Sequence, residues 1–400
     1  MKKKLSISLI CVFLAVIVFF TSFSVFGKKK DFSVDENRAL MTMPEIALDS
    51  VLDGSFQQDY SDYLSDQFEW RSTFVNIKTN IMLALGKKEI NGVYIGKNDY
   101  FMEKFSDADF DEDVLEYNEK NMNYFLRYAS EDYEINTVCA FVPSKSDVLK
   151  KNLPNNLIPY DASYAIEDTL DGADSVKTPD LYKALQQHDD EYIFYKTDHH
   201  WTSLGAYYAY CEIADSLGVE PVSIDNFKSL DVATDFYGST FDKVQVRKSP
   251  DTITKYDTGV KVKVDYNGEQ KNTTTLYADK MLKEKSKYDY FLGGNFARID
   301  ITTDCKNGKT LLLMKDSFAN SLVPFLCCNY SHIIMVDVRY FDDDVYALFE
   351  TEDIDDLLVL YNTEQYMKAE NMDVLEPEES EDDAELDEDD AFVLEAEENE

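Results

Sequence analysis

The segment at residues 309–326 reads KTLLLMKDSFANSLVPFL, with a polar pair between two apolar runs. The run TLLLM predicts a buried strand, because a short apolar run bounded by a turn is typical of a sheet covered on both faces. Asp316 and Ser317 predict a tight turn into a helix, since both residue types are favoured at helix N-termini. The segment therefore predicts a strand–turn–helix unit with polar side chains at the carboxyl end of the strand.

Working outward, apolar runs that predict further strands alternate with amphipathic stretches that predict helices. The strands are expected at residues 135–142, 192–197, 332–341 and 355–362, and the helices at 113–132, 180–188 and 203–218. Residues 91–105 and 259–277 predict hairpins, the second with an Asn267-Gly268 turn. This alternation predicts an α/β fold, a mostly parallel sheet flanked by helices in three layers, with a β-hairpin insertion. Sites in such folds form beyond the carboxyl ends of the strands.

The amino-acid composition limits which classes of protein this chain can belong to. The chain has 400 residues, 44% of them hydrophobic, which is enough for a large core. Its formal net charge of −39 argues against nucleic acid as a partner, because a nucleic-acid binder needs basic surface. The six cysteines show no CxxC spacing, which argues against a cysteine metal site.

The first thirty residues predict a membrane anchor. Residues 5–26 carry no charge and lie between two lysine triplets, and a helix of that length spans about 33 Å. We expect an uncleaved single-pass anchor with the large acidic part of the chain outside the cell. The domain prediction is a cytoplasmic N-terminus (1–4), an anchor (5–27), a juxtamembrane segment with helices (28–88), a main domain (89–366, with a β-rich insertion at 225–300) and a disordered acidic tail (367–400).

The chemistry-bearing residues form two clusters after predicted strands. Two of the four histidines, His199 and His200, follow Asp198, and Ser317 lies in the turn described above. A serine needs a base to become a nucleophile, and histidine is the usual one. An acid two residues before a histidine can point to the same side of an extended chain, so we pair Asp198 with His200. Asp198, His200 and Ser317 then form a candidate acid–base–nucleophile relay.

Other interpretations of the same residues remain open. Asp316 and Ser317 taken alone are typical of a helix cap. Asp198, His199 and His200 could bind a metal ion, although adjacent histidines rarely face one ion in a strand. The motif could also be structural, with Thr197 or Asp198 capping the following helix and the histidines buried.

The paired motifs DHHWT at 198–202 and KDSFANSLVPFL at 315–326 resemble the DHHW family of bacterial cell-surface proteins. That family is similar to the SGNH-hydrolase-like domain of alginate O-acetylation proteins of the AlgX/AlgJ type. Matching segments outside the two motifs are ENRAL (36–40), DQFEWR (66–71), GVYIGKNDYF (92–101), FVPSK (141–145), FLGGN (291–295) and VDVRYF (336–341). The resemblance thus covers about residues 35–365 and implies an SGNH-hydrolase-like, flavodoxin-like fold.

By this resemblance Ser317 is the nucleophile, His200 the base and Asp198 its orienting acid, with no cofactor and no metal. Gly294 and Asn295 are the implied oxyanion donors, and Arg339 and Tyr340 are candidates for the pocket wall. The implied activity is acetyl transfer to a cell-envelope polysaccharide at the cell surface, with a membrane-bound O-acyltransferase as partner. An O-acetyl esterase with the same triad is the alternative enzyme. The alternative outside enzymes is a non-catalytic envelope-assembly or carbohydrate-binding protein.

Overall fold

The computed structural model describes residues 2–33, 38–370 and 372–377. The α-helices of this part are α1 (Lys2–Phe26), α2 (Leu48–Asp53), α3 (Ser55–Asp66), α4 (Arg71–Ala84), α5 (Glu112–Arg127), α6 (Lys145–Val148), α7 (Ser163–Thr169), α8 (Leu181–Gln186), α9 (Ser203–Leu217), α10 (Ser239–Val244), α11 (Ala319–Leu326), α12 (Ala347–Thr351) and α13 (Thr363–Met367). The strands are β1 (Phe32–Ser33), β2 (Arg38–Ala39), β3 (Glu89–Ile90), β4 (Val93–Ile95), β5 (Phe101–Glu103), β6 (Asn136–Val142), β7 (Lys228–Phe236), β8 (Asp251–Asp257), β9 (Val262–Asp265), β10 (Arg298–Thr303), β11 (Thr310–Lys315), β12 (His332–Val336) and β13 (Asp356–Asn362).

The central sheet has the strand order β6-β13-β11-β12-β10-β9. Strands β6, β13, β11 and β12 run parallel, and β10 is antiparallel to both of its neighbours. The mostly parallel sheet expected from the alternating pattern is therefore confirmed. Because β11 lies between two parallel neighbours, its carboxyl end is at the middle of one sheet edge.

Helices cover both faces of this sheet. Leu311 and Leu313 of β11 belong to a core cluster that includes α8, α9 and α11. Leu312 and Met314, which alternate with them, belong to a second cluster that includes α5 and α12. The two clusters follow from the period-two alternation of a strand, and they explain why β11 is apolar at every position from Leu311 to Met314.

Helix α9 begins and ends where its sequence dictates. The Thr202 hydroxyl accepts a hydrogen bond from the Gly205 N–H at 3.3 Å, which caps the first turn. Gly218 ends the helix at φ 71°, a left-handed conformation that glycine adopts without a Cβ penalty. The cap fixes the helix start directly behind the DHHW segment.

The strand expected at residues 192–197 is wrong. An isolated bridge joins Phe194 to Trp201, so this segment folds back on itself instead of joining the sheet. The Ile193 carbonyl accepts from the Thr202 N–H at 2.9 Å, and the Tyr195 N–H donates to the His200 carbonyl at 3.2 Å. An apolar run alone does not distinguish a buried loop from a strand. Here the hydrogen bonds between residues 193–195 and 200–202 close the segment into a loop.

Of the two hairpins predicted from the sequence, the first is present and the second is formed only in part. The expected hairpin at 91–105 is confirmed by the antiparallel pair β4–β5. In the segment 259–277 the turn at Asn267-Gly268 is present, with φ of 53° and 90°. Its first strand, β9, pairs mainly with β10, and only an isolated bridge joins Val264 to Thr273. Strands β7 and β8 form a separate two-stranded sheet in the same region.

The two ends of the chain bear on the domain prediction. Side chains of α1 are described at residues 6–22. Within the described residues, no helix combines the length and the apolar character needed to cross a membrane, and the anchor at 5–27 stays a prediction. At the other end Met372 and Leu375 are buried in the core. Of the disordered acidic tail predicted at 367–400, residues 371 and 378–400 lie outside the described part of the chain.

Candidate active site

The turn after β11 presents Ser317 at the sheet edge. Its neighbour Asp316 is buried, and its carboxylate accepts from the N–H groups of Phe318 at 2.8 Å and Asn362 at 2.7 Å. Burial raises the pKa of Asp316, an effect that these two hydrogen bonds oppose. Ser317 is half-buried, and within the described residues no hydrogen-bond acceptor is found for its backbone N–H. The N–H of Ser317 is therefore available to a ligand, whereas that of Phe318 is not.

The DHHW loop brings a histidine to this serine. His200 Nε2 lies 2.7 Å from Ser317 Oγ, and His200 Nδ1 lies 2.6 Å from Asp198 Oδ1. The three side chains thus form a continuous hydrogen-bonded row from a buried carboxylate to a half-buried hydroxyl. The structure brings together the three residues that the sequence paired, at the distances that a nucleophile and its base require.

Asp198 is fixed by further donors. Its Oδ1 also accepts from the His200 N–H at 2.9 Å, and its Oδ2 accepts from the Ser239 N–H at 2.9 Å. Burial of Asp198 opposes its ionisation, but the charge of His200, with smaller contributions from His199 and hydrogen bonding, outweighs burial and lowers its pKa. Asp198 is therefore ionised at neutral pH and can orient and stabilise a protonated His200.

Two buried charged residues hold the loop that carries Asp198. Lys145 Nζ donates to the carbonyls of Tyr195 at 2.9 Å and Asp198 at 2.7 Å. Asp251 accepts from the backbone N–H groups of Lys196 and Thr197, both at 2.7 Å, and from the Thr197 hydroxyl at 2.5 Å. Burial lowers the pKa of Lys145 to about 8, against the attraction of Asp251 and Asp198. These bonds fix the shape of the loop, which is not a strand of the central sheet.

Aromatic rings enclose His200. The Tyr288 ring stacks on it with centroids 3.7 Å apart and 11° between the planes. The His199 ring lies 3.8 Å away at a tilt of 36°. The Tyr288 hydroxyl lies 3.1 Å from the Ser317 carbonyl, to which it can donate. Trp201 donates from Nε1 to the Phe318 carbonyl at 3.0 Å. These contacts restrict the imidazole to one orientation toward Ser317.

The atoms that could bind a metal ion in the DHHW motif are partly engaged in hydrogen bonds. Among the described residues, Asp198, His199 and His200 offer ligand atoms that lie within 4.8 Å of one another. However, both ring nitrogens of His200 already have hydrogen-bond partners, Asp198 and Ser317. A metal ion bound by His200 would have to displace either Asp198 or Ser317 from the imidazole ring.

The suggested oxyanion and pocket residues lie around Lys315. Lys315 is fully buried and its Nζ contacts Asp337 at 3.0 Å and Asn295 Oδ1 at 2.9 Å. Asn295 Oδ1 also accepts from Asn320 Nδ2 at 3.0 Å. Burial lowers the pKa of Lys315, and Asp337 opposes that shift. The oxyanion role of Asn295 remains a prediction.

Gly294, Arg339 and Tyr340 were also suggested from the sequence, and their contacts are with residues other than Ser317. Gly294, at φ 119°, is joined to Asn320 through its carbonyl at 3.5 Å. Arg339 donates to Asp337, and its guanidinium lies over the Tyr340 ring at 5.5 Å. Within the described residues no hydrogen bond joins Gly294, Arg339 or Tyr340 to Ser317. Their roles stay predictions.

Several residues of the site were not identified from the sequence. Lys145 lies in the FVPSK segment, so the resemblance marked its position but not its function. Asp251 accepts from backbone N–H groups of the DHHW loop, the Ser239 N–H donates to the Asp198 carboxylate, and Tyr288 acts through its ring. Neither their residue type nor their spacing signals this use.

Comparisons with known proteins agree with this fold. The family model described as "DHHW protein" matches residues 172–336, which contain both motifs, and the resemblance to the DHHW family is confirmed. No curated protein matches the chain.

Three solved structures illustrate the similarity. A DHHW family protein from Eubacterium siraeum aligns with a TM-score of 0.62 and 24% identity, over 72% of this chain and 95% of its own. Bacillus cereus PatB1 with a sulfonyl adduct aligns with a TM-score of 0.58 and 18% identity, over 71% and 97%. The O-acetyltransferase domain of Pseudomonas putida AlgJ gives a TM-score of 0.46 and 16% identity, over 72% and 96%. The first two similarities are evidence for the fold of this chain.

Proposed function

We propose that this protein is a serine-dependent acyltransferase that places acetyl groups on hydroxyls of a cell-envelope polysaccharide. The observation that carries the proposal is the row from Asp198 through His200 to Ser317, with hydrogen bonds of 2.6 and 2.7 Å. The motifs that resemble alginate O-acetylation proteins favour acetyl as the group and polysaccharide as the acceptor. The same resemblance favours an SGNH-hydrolase-like, flavodoxin-like fold.

In the first half-reaction Ser317 takes the acyl group. Ser317 Oγ attacks the carbonyl carbon of the donor ester while His200 Nε2 accepts the hydroxyl proton. The bond from that carbon to the leaving oxygen then breaks, and the leaving oxygen receives the proton from His200. Asp198, whose pKa is lowered, stabilises the imidazolium that exists between these two proton transfers.

In the second half-reaction the acyl group moves to the acceptor. A polysaccharide hydroxyl oxygen attacks the acyl-serine carbon and gives its proton to His200 Nε2. The bond between that carbon and Ser317 Oγ breaks, and His200 returns the proton to Ser317. With water as acceptor the same steps give hydrolysis, so the esterase alternative differs only in what occupies the acceptor position.

The oxyanion that forms in both steps needs donors. The N–H of Ser317, for which the described residues offer no acceptor, is proposed as the first. Asn295 Nδ2 is proposed as the second, because Lys315 and Asn320 hold the amide oxygen of Asn295 and so fix the direction of its nitrogen. Each such donor contributes about 10²-fold to 10³-fold in rate in serine enzymes.

The proposed setting is the outer face of the cell membrane. The uncharged residues 5–26 anchor the chain, and a membrane-bound O-acyltransferase supplies acyl groups from the other side. This part of the proposal rests on the sequence alone. Labelling of intact cells with a membrane-impermeant reagent, compared with lysed cells, tests the orientation of the main domain.

The activity is tested by supplying p-nitrophenyl acetate as donor and a neutral oligosaccharide as acceptor. Acetylated oligosaccharide is measured by mass spectrometry for wild type, Ser317→Ala and His200→Ala. We expect product with wild type and at least 10³-fold less with either variant. Release of acetate without acetylated sugar assigns the esterase reaction. Absence of both products from folded wild type contradicts the enzyme proposal and favours a binding or assembly role.

A further inference from the structure

A small polar cavity adjoins the candidate active site. Its volume is about 20 Å³, enough for one water molecule or one hydroxyl group. Phe318 and His199 border it, and these residues are the chain neighbours of Ser317 and His200. Glu103 and Glu364 also line it. The cavity is therefore lined by the chain neighbours of the proposed catalytic pair, and it has room for one hydroxyl group of an acceptor.

His199 is fixed by one ring nitrogen and offers the other. Its Nδ1 lies 2.6 Å from Ser239 Oγ, and within the described part of the chain no hydrogen bond reaches its Nε2. The side chain is 27% exposed, so Nε2 is not sealed inside the core. The ring is also held against His200 at 3.8 Å and against Phe318 at 5.8 Å.

The neighbours of His199 keep its ring uncharged. Burial, together with the charge of His200, lowers the pKa of His199 to about 4, against the attraction of Asp198 and Glu103. A neutral imidazole has one N–H and one acceptor nitrogen. If the Ser239 hydroxyl donates to Nδ1, the proton of His199 is on Nε2, where it can bind an oxygen in the cavity.

The charges around the cavity favour some acceptors over others. Burial opposes the ionisation of Glu103, but its ion pair with Lys243, together with other nearby charges, lowers its pKa on balance, so Glu103 is ionised. Burial raises the pKa of Glu364 to about 7. Lys145, which also lines the cavity, gives hydrogen bonds to the Tyr195 and Asp198 carbonyls, and its single charge offsets only one of the two glutamates. An acidic sugar would bring a third carboxylate to this place, and like charges repel.

We propose that His199 Nε2–H donates a hydrogen bond to the acceptor oxygen during transfer, and that Glu103 and Glu364 restrict the acceptor to uncharged or amine-bearing sugars. The inference rests on the proposed acyl transfer. The acceptor gives its hydroxyl proton to His200 Nε2, its oxygen bonds to the acyl carbon, and the bond to Ser317 breaks. His199 gains and loses no proton in this step.

The test separates acylation from transfer. With p-nitrophenyl acetate, the burst of p-nitrophenol reports acylation of Ser317, and acetylated glucose oligosaccharide reports transfer. His199→Phe keeps a ring beside His200 but removes both nitrogens. We expect its burst rate to stay within about threefold of wild type and its kcat/KM for the acceptor to fall about 30-fold. His188→Phe, the same change at a histidine that stacks on Tyr208, should alter neither rate.

A second variant tests the same role of His199 in case His199→Phe does not fold. Ser239→Ala removes the hydroxyl that orients His199 but keeps the N–H that binds Asp198. We expect the same pattern, with a transfer loss of about tenfold. Transfer at the wild-type rate in the folded variants overturns the proposal, and so does equal loss of burst and transfer. No burst in wild type overturns the proposed function itself.

The proposed restriction to non-acidic sugars is tested by comparing three acceptors. Oligosaccharides of glucose, glucosamine and mannuronic acid are offered to wild type as acceptors at one ionic strength. We expect at least tenfold poorer transfer to the mannuronic acid oligomer and a smaller difference in Glu364→Gln. Equal use of all three by wild type overturns the restriction to non-acidic sugars.

Discussion

Gly238 precedes α10 and passes so close to Asp198 that no side chain fits there. A Cβ built on Gly238 would lie 2.1 Å from Asp198 Oδ2 and 2.3 Å from its Cβ. The backbone of Gly238, at φ −99°, is open to other residues, so the substitution Gly238→Ala acts through this contact alone. To restore even 3.0 Å, the Oδ2 atom has to move by about 0.9 Å.

Such a movement reaches the proposed catalytic row of Asp198, His200 and Ser317. Oδ2 accepts from the Ser239 N–H at 2.9 Å, and Oδ1 of the same carboxylate binds His200 at 2.6 Å. A misplacement of about 1 Å costs about 10² in rate, and loss of the orienting acid costs about 10⁴. We therefore expect kcat of Gly238→Ala to fall by about 10² to 10⁴. Overpacking should lower the free energy of unfolding by about 1–3 kcal/mol.

The assay measures p-nitrophenyl acetate turnover and urea denaturation on the same preparations. Gly218→Ala is the matched control, because Gly218 ends α9 at φ 71° with open space around it. That change should cost about 1 kcal/mol of stability and leave kcat within twofold. If folded Gly238→Ala turns over as fast as wild type, the position of Asp198 does not govern the activity and the reasoning is refuted.

Three further substitutions test the support of the DHHW loop. Lys145→Met leaves two buried carbonyls unpaired and should cost about 2–4 kcal/mol. Because burial lowers the Lys145 pKa from 10.5 to about 8, the unfolded chain binds more protons in that interval, and urea titrations should show wild type gaining stability over the variant as pH rises from 8 to 10.5. Asp251→Asn exchanges an acceptor of four hydrogen bonds from residues 192–197 for an amide, and we expect a tenfold or larger loss of kcat; an unchanged kcat contradicts this role. Tyr288→Leu, which removes the ring stacked on His200, should lower kcat about tenfold, whereas Tyr288→Phe should stay within threefold; equal values for the two variants would exclude the ring as the cause.

The sequence predicted the parts of the fold that depend on local pattern. The apolar run of β11 and the turn at Asp316 follow from residue type and order. The helix expected at 203–218 is present as α9, but its N-cap is Thr202 and not Thr197 or Asp198. The sequence also indicated that His200 should meet Ser317, because both follow apolar runs and histidines are scarce. The strand expected at 192–197 was wrong, since its apolar residues are buried in a loop that folds back on residues 200–202 and is bonded to segments outside the central sheet.

The remaining features of the site depend on tertiary structure. Gly238 matters because a side chain from another segment fills the space where its Cβ would be. Asp251 and Lys145 act on backbone groups, which carry no residue signature. Tyr288 is one of 27 tyrosines, and nothing in its surroundings distinguishes it before the chain is folded. Such contacts become visible only when distant segments are placed side by side.

The central claim is that His200 activates Ser317 for covalent chemistry. The most direct measurement treats the purified protein with phenylmethylsulfonyl fluoride and locates the adduct by intact mass and peptide mapping. We predict one sulfonyl group per chain, on Ser317, and at least 10²-fold slower labelling in His200→Ala. Labelling of folded wild type at other serines only, or at equal rates with and without His200, would contradict the account.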